Sequence, residues 1–470
     1  MRVGLNLKSY LDGPYAPVSD EATYVDLPVL GELPRDLHGM FAQNSPNPKY
    51  APPNRYHWFD GDGMVHAVYI ENGRATYRNR WVRTRDLAHE MRQGECHWPG
   101  LMNPIPDTLR THPDKDTANT DLEWANGRLL ALWWLGGQPY ELSVPSLETK
   151  GVAPYDAKLP CGIASHPKTD RETGEMMFFD YSPYSAPYLH YGVISADGQV
   201  LAVDAITTPG PRLFHDIAIT KNYTVLMDLP LLWKDNSLQE GRRRIDFDDR
   251  LPSRFGILPR HGGNDSIRWF QAPPCYIYHS VNAWEDGDEI VMIACRISNP
   301  LPRSHHSAEP HIPRLYFLRL APTLHEWRFN LKTGETREKQ LDDVYTEFPR
   351  INDNVLGRQN RYAYCPKIAK EPTLLFDGFI KYDLQQGRSD TFELGPGRFS
   401  SELCYVSSPD AMQEDEGWLI SMVFNASENR SELQVLEAAS PSAPIAIIPI
   451  PRRVPVGFHA CWVPGDQMQS

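Results

Sequence analysis

Short runs of apolar, aromatic and β-branched residues alternate with polar turns centred on glycine along most of the chain. The residues around Asn72-Gly73 show the pattern: Met-Val-His-Ala-Val-Tyr-Ile precedes the turn and Arg-Ala-Thr-Tyr-Arg follows it. Asn-Gly between two such runs predicts a tight β-hairpin, because both turn residues tolerate positive φ. Asn126-Gly127, Asp197-Gly198 and Asp286-Gly287 repeat the signal. The stretches starting at Trp327 and Ile380 share one strand, polar turn and return-strand design. Evenly spaced antiparallel units of this kind predict an all-β propeller. No composition shift divides it, so residues 1–470 are expected to form one domain.

A few segments depart from the pattern. Arg85-Asp-Leu-Ala-His-Glu-Met-Arg-Gln-Gly reads as a helix stopped by Gly94. Residues 231–265 read as helical or cap-like, and 299–313 as a long proline-rich loop carrying His305, His306 and His311. These segments are expected to cover one face. Asp60-Gly61-Asp62-Gly63 resembles the start of a calcium loop but lacks the later ligands and the closing Glu, so a turn is expected.

Composition narrows the function. The formal net charge of −13 argues against a nucleic-acid backbone as partner, since such binding rests on neutralising phosphates. The one dense basic run, Arg242 to Arg244, is followed by Asp246, Asp248 and Asp249 and reads as a solvated loop. The 7 cysteines form no Cys-x-x-Cys pair, which fits reduced thiols in a cytoplasmic protein. No apolar run has signal-peptide or membrane-spanning length. A soluble monomer is expected, at most in peripheral contact with a membrane surface.

Of the 16 histidines, four sit in or beside apolar, strand-like runs: His166, His215, His279 and His459. An unpartnered imidazole is costly in such a place, and neutral imidazole suits iron, zinc and copper. The four are too far apart in sequence to meet on one helix or hairpin. Only a closed fold that brings distant segments to one axis can unite them. Glu347, before Phe-Pro-Arg-Ile-Asn, and Glu402, before Leu-Cys-Tyr-Val, are acids entering apolar segments. Each can orient a metal-bound imidazole through its second ring nitrogen, or stand on the surface.

The chain resembles the carotenoid cleavage oxygenases, a family that includes the retinal pigment epithelium isomerase and the stilbene- and isoeugenol-cleaving oxygenases. The resemblance is carried by Tyr-His-Trp-Phe-Asp-Gly-Asp-Gly-Met-Val-His, Tyr-Arg-Asn-Arg-Trp-Val-Arg-Thr (77–84), Ala-Asn-Thr (118–120), Pro-Tyr-Glu-Leu (139–142), Leu-Glu-Thr-Lys-Gly, the four histidine motifs, Glu-Phe-Pro-Arg-Ile-Asn and His-Ala-Cys-Trp-Val. It implies a seven-bladed β-propeller with a loop and short-helix cap over an axial metal site. It also implies Fe(2+) held by His166, His215, His279 and His459, with Glu347 and Glu402 as two of three outer glutamates. The third glutamate is missing: Trp134 or Leu135 stands in its place, which leaves one histidine, His215, without a carboxylate partner. Glu123 is a conceivable substitute.

The implied reaction is cleavage of an alkene C=C bond by O2 to two carbonyl products. The substrate partner is a small apolar alkene, and no catalytic residue beyond the metal centre is implied. The stilbene-cleaving branch would place a Lys beside the missing Glu; here that place falls on Trp133 or Trp134. This favours a carotenoid or apocarotenoid over an isoeugenol-like or stilbene alkene, although the paired tryptophans also suit plain core packing. Two rival readings remain: a non-catalytic apocarotenoid-binding propeller, and a scaffold whose histidines carry no metal. If the substrate comes from a membrane, Leu231, Leu232 and Trp233 are candidates for an apolar patch at the tunnel mouth.

Overall fold

The computed structural model describes residues 9–53, 55–155, 159–234, 241, 245–301 and 320–468. Among these the fold is all-β, with antiparallel sheets following one another as blades. The predicted hairpins form where the turn residues allow them. Asn126 (φ 53°) and Gly127 (φ 70°) turn Asp121–Ala125 into Arg128–Leu132, and Asn72 (φ 51°) and Gly73 (φ 72°) join Gly63–Glu71 to Arg74–Trp81.

Four sheets have four strands each, built in chain order. The first holds Asp121–Ala125, Arg128–Leu132, Tyr140–Leu142 and Thr149–Val152. The second runs from Lys168–Thr169 through Met176–Tyr181 and Leu189–Ile194 to Val200–Ile206. The third comprises Ile217–Ile219, Tyr223–Asp228, Ser253–Pro259 and Arg268–Ala272, and the fourth Tyr276–Asp286, Glu289–Ile297, Thr323–Asn330 and Thr336–Gln340. A nine-stranded sheet spans Tyr362–Ile368 to Pro444–Pro449 and also takes in Leu30–Gly31.

A two-stranded sheet pairs Leu231–Trp233 with Ile245–Phe247, and a five-stranded sheet joins an early strand to the last one. Ala460–Pro464 pairs with Gly39–Pro46, with Ala42 opposite Cys461. Closure of this kind pairs strand edges that would otherwise be open. It also delivers His459, at the head of the last strand, to the interior.

Burial follows position in the sheet. Ile217–Ile219 is wholly buried, whereas Thr336–Gln340 and Arg388–Glu393 are mostly exposed and charged. Apolar layers between neighbouring sheets form the core. Met176, Phe178 and Ile194 pack with Leu130, Leu132 and Ile163, for example. Polar pins tie the layers: the buried Asp170 carboxylate takes Arg260 at 2.6 Å and Arg358 at 2.9 Å.

The expected helix is Arg85–Gln93, capped by the Thr84 hydroxyl on Leu87 N and ended by Gly94 at φ 80°. Residues 231–265 differ from expectation. They hold the strands Leu231–Trp233, Ile245–Phe247 and Ser253–Pro259. Leu231 and Trp233 face inward, at 1% and 3% exposure, and Leu232 is half-buried, so the three do not form an exposed patch. Their alternating apolar positions serve strand pairing, not a cap helix. His305, His306, His311 and Arg242–Arg244 lie outside the described residues.

Candidate metal centre

The four histidines come from four separate chain segments: His166, His279 and His459 bring ligand atoms together, and the His215 ring lies beside them, against His166 and His279. His166, just before Lys168–Thr169, adopts φ 69°, a left-handed conformation that costs a non-glycine residue of order 1–3 kcal/mol. It is held there by its backbone N–H, which donates to Asp121 Oδ2 at 2.8 Å. His215 precedes Ile217–Ile219, and His459 precedes Ala460–Pro464. His279 lies inside Tyr276–Asp286, where the ladder to the next strand shifts register between Ile277 and Ser280. That irregularity re-aims the side chain, as bulges do.

The rings cluster tightly. His166 lies with its centroid 4.9 Å from His215, 4.9 Å from His279 and 4.4 Å from His459. His215 is 5.1 Å from His279, and His279 is 4.7 Å from His459. Ligand atoms of His166, His279 and His459 lie within 4.8 Å of one another. All four residues are 4–7% exposed. Burial, together with the neighbouring rings, pushes His166 and His215 well below the usual imidazole range and His279 down to about 3. These three rings are therefore neutral and have lone pairs to donate. Nε2 of His166 and of His279 has no hydrogen-bond partner among the described residues. Buried orphan nitrogens facing one another fit a bound cation, because each otherwise bears an uncompensated desolvation cost.

The opposite ring nitrogens are treated unequally. His279 Nδ1 is 2.5 Å from Glu347 Oε2, and His459 Nδ1 is 3.1 Å from Glu402 Oε1. His166 Nδ1 stands 3.4 Å from Asp121 Oδ2. His215 Nδ1 is buried without a partner among the described residues. Glu402 also accepts Ala460 N at 2.7 Å, and Glu347 accepts Phe348 N at 2.7 Å. Both glutamates are buried, so the surface alternative does not hold. Phe348, at φ 55°, lays its ring 4.6 Å from His459 and 4.8 Å from His279.

Two cavities of opposite character meet this cluster. One is walled by Trp58, Phe59, Trp134, Tyr278, Phe348 and Phe458 and reaches His215, His279 and His459. The other is polar, with Asp121, Lys168, Asp216, Arg350 and Glu402 around His166, His279 and His459. Trp134 and Phe59, 5.5 Å apart, also border an outer cavity lined by Tyr50, Trp98 and Leu101.

A profile described as retinal pigment epithelial membrane protein matches residues 15–464. The carotenoid 9,10(9',10')-cleavage dioxygenase 1 of Phaseolus vulgaris is 38% identical over 98% of this chain and 90% of its own length. The chain belongs to the carotenoid cleavage oxygenase family. It is an oxygenase, and its fold is shared by solved relatives. The lignostilbene dioxygenase of Pseudomonas brassicacearum is 29% identical, with a TM-score of 0.87 and coverage of 97% and 98% of the two chains. A cobalt-substituted Synechocystis apocarotenoid oxygenase is 26% identical, with a TM-score of 0.83 and coverage of 95% and 97%.

Trp134 and Leu135 are the positions expected in place of a third outer glutamate. Trp134 and Leu135 are buried at 3% and 6% exposure. Trp134 stacks on Trp233, with centroids 6.4 Å apart, and lines the apolar cavity together with His215. Glu123, the conceivable substitute for a carboxylate beside His215, does not take that place: its Oε1 accepts the Thr169 hydroxyl at 2.5 Å, and it lines the polar cavity, which His215 does not line. Asp121 and Asp216 escaped the sequence reading. Asp121 opens an apolar strand and Asp216 directly precedes one, the same signal that marks Glu347 and Glu402.

Cys161, Asp180 and His190 also bring ligand atoms within 4.8 Å of one another. There, however, Asp180 Oδ2 takes the Gly162 amide at 2.9 Å and fixes the loop beside it.

Proposed function

We propose that this oxygenase uses Fe(2+), held by His166, His215, His279 and His459, to cleave a C=C bond of an apolar polyene of the carotenoid or apocarotenoid class. The observation that carries the reading is the clustering of four buried imidazoles, three of which, His215, His279 and His459, line an aromatic-walled cavity. An iron(II) ion supplies O2 activation, and the reaction balances as one alkene plus one O2 giving two carbonyl compounds. The rest falls to the chain. Glu347 and Glu402 accept the Nδ1 protons of His279 and His459 and so fix the coordinating nitrogen of each ring. Phe348, Phe59, Trp134 and Phe458 exclude water and offer stacking faces to a conjugated chain.

We read the whole chain as one seven-bladed unit. The nine-stranded sheet then divides into two blades joined through Arg398–Ser400. The innermost segment of each blade brings one group inward: His459, Asp121, His166, His215, His279, Glu347 and Glu402 in turn. One group per blade supports both the blade number and the shared centre.

A phenolic stilbene or isoeugenol-like substrate is the second reading, favoured by the likeness to the lignostilbene dioxygenase. Against it, the apolar cavity carries no Lys among its described walls. Lys115, in the outer cavity, is bound by Asp62 and Glu90 at 2.5 and 2.6 Å. Iron content and O2 uptake with an apocarotenal, a hydroxystilbene and isoeugenol test the proposal. Uptake with the apocarotenal and aldehyde formation are expected. Uptake with the phenolic alkenes alone would replace the substrate reading, and an iron-loaded protein inert to all three would overturn the reaction.

A further inference from the structure

The segments that carry the histidines are also tied together one step away from the rings. Asp216 follows His215 and is 4% exposed. Its Oδ2 accepts both the backbone N–H and the hydroxyl of Ser280, each at 2.7 Å. Its Oδ1 accepts Ile217 N at 2.8 Å and lies 2.6 Å from Lys168 Nζ. Ser280 follows His279, and Lys168 stands two residues after His166. One carboxylate thus joins the chain beside three of the four histidines.

The same device occurs a second time. Asp121 Oδ1 accepts Leu122 N at 2.8 Å, and its Oδ2 accepts the backbone N–H of His166 at 2.8 Å. In both cases an aspartate heads an inner strand, binds the next amide with one oxygen and reaches a histidine-bearing segment of a different sheet with the other. A surface turn aspartate would satisfy only its own amide. The second oxygen, spent on another sheet, sets the distance between sheets at the depth of the rings.

We infer that Asp216 is a positioning residue that holds the segments of His166, His215 and His279 at the spacing a metal ion needs. Charge-assisted bonds in a buried site are short and directional, so they resist the sub-ångström drift that a coordination sphere amplifies. His215 Nδ1, which has no partner among the described residues, sharpens the need, since the ring is then held through the main chain next to Asp216.

The inference rests on the four-histidine metal reading, and Co(2+) titration separates the two. Uptake of one Co(2+) by the wild-type apoprotein is expected; no uptake would overturn both. Asp216→Asn keeps the shape but cannot accept from Ser280 and Lys168 together. It is expected to weaken Co(2+) binding roughly 10- to 100-fold, the usual cost of losing an outer partner, and to shift the cobalt ligand-field absorption. Ser280→Ala and Lys168→Met each remove one tie, so a smaller loss and shift are expected of each. They also decide the matter if Asp216→Asn does not fold. Wild-type affinity and spectrum in the variants, with only a lowered apoprotein melting temperature, would overturn the positioning role and leave the metal site standing.

Discussion

Glu347 Oε2 lies 2.5 Å from His279 Nδ1, and no carboxylate holds that relation to His215, whose Nδ1 is unpaired among the described residues. The centre is therefore supported unevenly. With a cation on Nε2, Nδ1 of His279 carries the proton and donates it to Glu347, which accepts Phe348 N as well. Burial pushes the Glu347 carboxyl up to about 8, and a cation on His279 Nε2 would favour its charged form. Glu347→Gln loses that acceptor. It is expected to loosen metal binding about 10- to 100-fold, measured by competition against a chelator.

Trp134→Glu tests the uneven support from the other side. A carboxylate in the cavity shared with His215 is expected to tighten metal binding by about tenfold, the lower end of the outer-partner effect. The same change removes an indole packed on Trp233 and Phe59, so the melting temperature is expected to fall, by the equivalent of about 3 kcal/mol. Opposite signs in the two measurements distinguish support of His215 from general damage. Lower affinity together with lower stability would count against the unpaired Nδ1 as the weak point.

Asp116 gives stability a pH dependence away from the metal. Burial pushes its carboxyl up to about 7, against the amides of Gln138 and Ala118, which favour the charged form. A raised folded-state value means that the folded protein holds the proton more tightly than the unfolded chain does. The contribution is full below about pH 4 and is lost as pH rises toward about 7. Part of Asp116 remains accessible, which places the effect at the modest end. Asp116→Asn is expected to flatten the fall in melting temperature across this window. An unchanged slope would show that other groups set it.

The buried pin at Asp170 bears on stability alone. Arg260→Met leaves the carboxylate, 1% exposed, with Arg358 as its remaining guanidinium partner. Removing one partner of a buried ion pair costs about 3–5 kcal/mol, and the surviving Arg358 favours the lower figure. A urea midpoint shifted down, with metal stoichiometry kept, is the expected outcome.

Much of the site was legible before folding. An imidazole or a carboxylate inside an apolar run is costly unless it is partnered, and that cost makes His166, His215, His279, His459, Glu347 and Glu402 conspicuous. The same logic reaches Asp121 and Asp216, which head Leu122 and Ile217, but short acid-to-strand junctions are common and nothing local separates these two. Residues 231–265 form short strands, two of them in a separate inserted sheet; an irregular apolar pattern does not distinguish short strands from a helix.

What the sequence by itself determined is local: hairpins where Asn-Gly and Asp-Gly permit left-handed turns, and functional groups where burial would otherwise be penalised. Tertiary structure alone decided which groups meet. The pairing of Gly39–Pro46 with Ala460–Pro464 brings His459 to residues nearly 300 positions earlier, such as His166. It is also the fold that leaves His215 Nδ1 without a partner among the described residues, with Trp134, buried against Trp233, lining the cavity that His215 faces. Side-chain chemistry is written residue by residue, but distances between remote segments arise only when sheet packs on sheet.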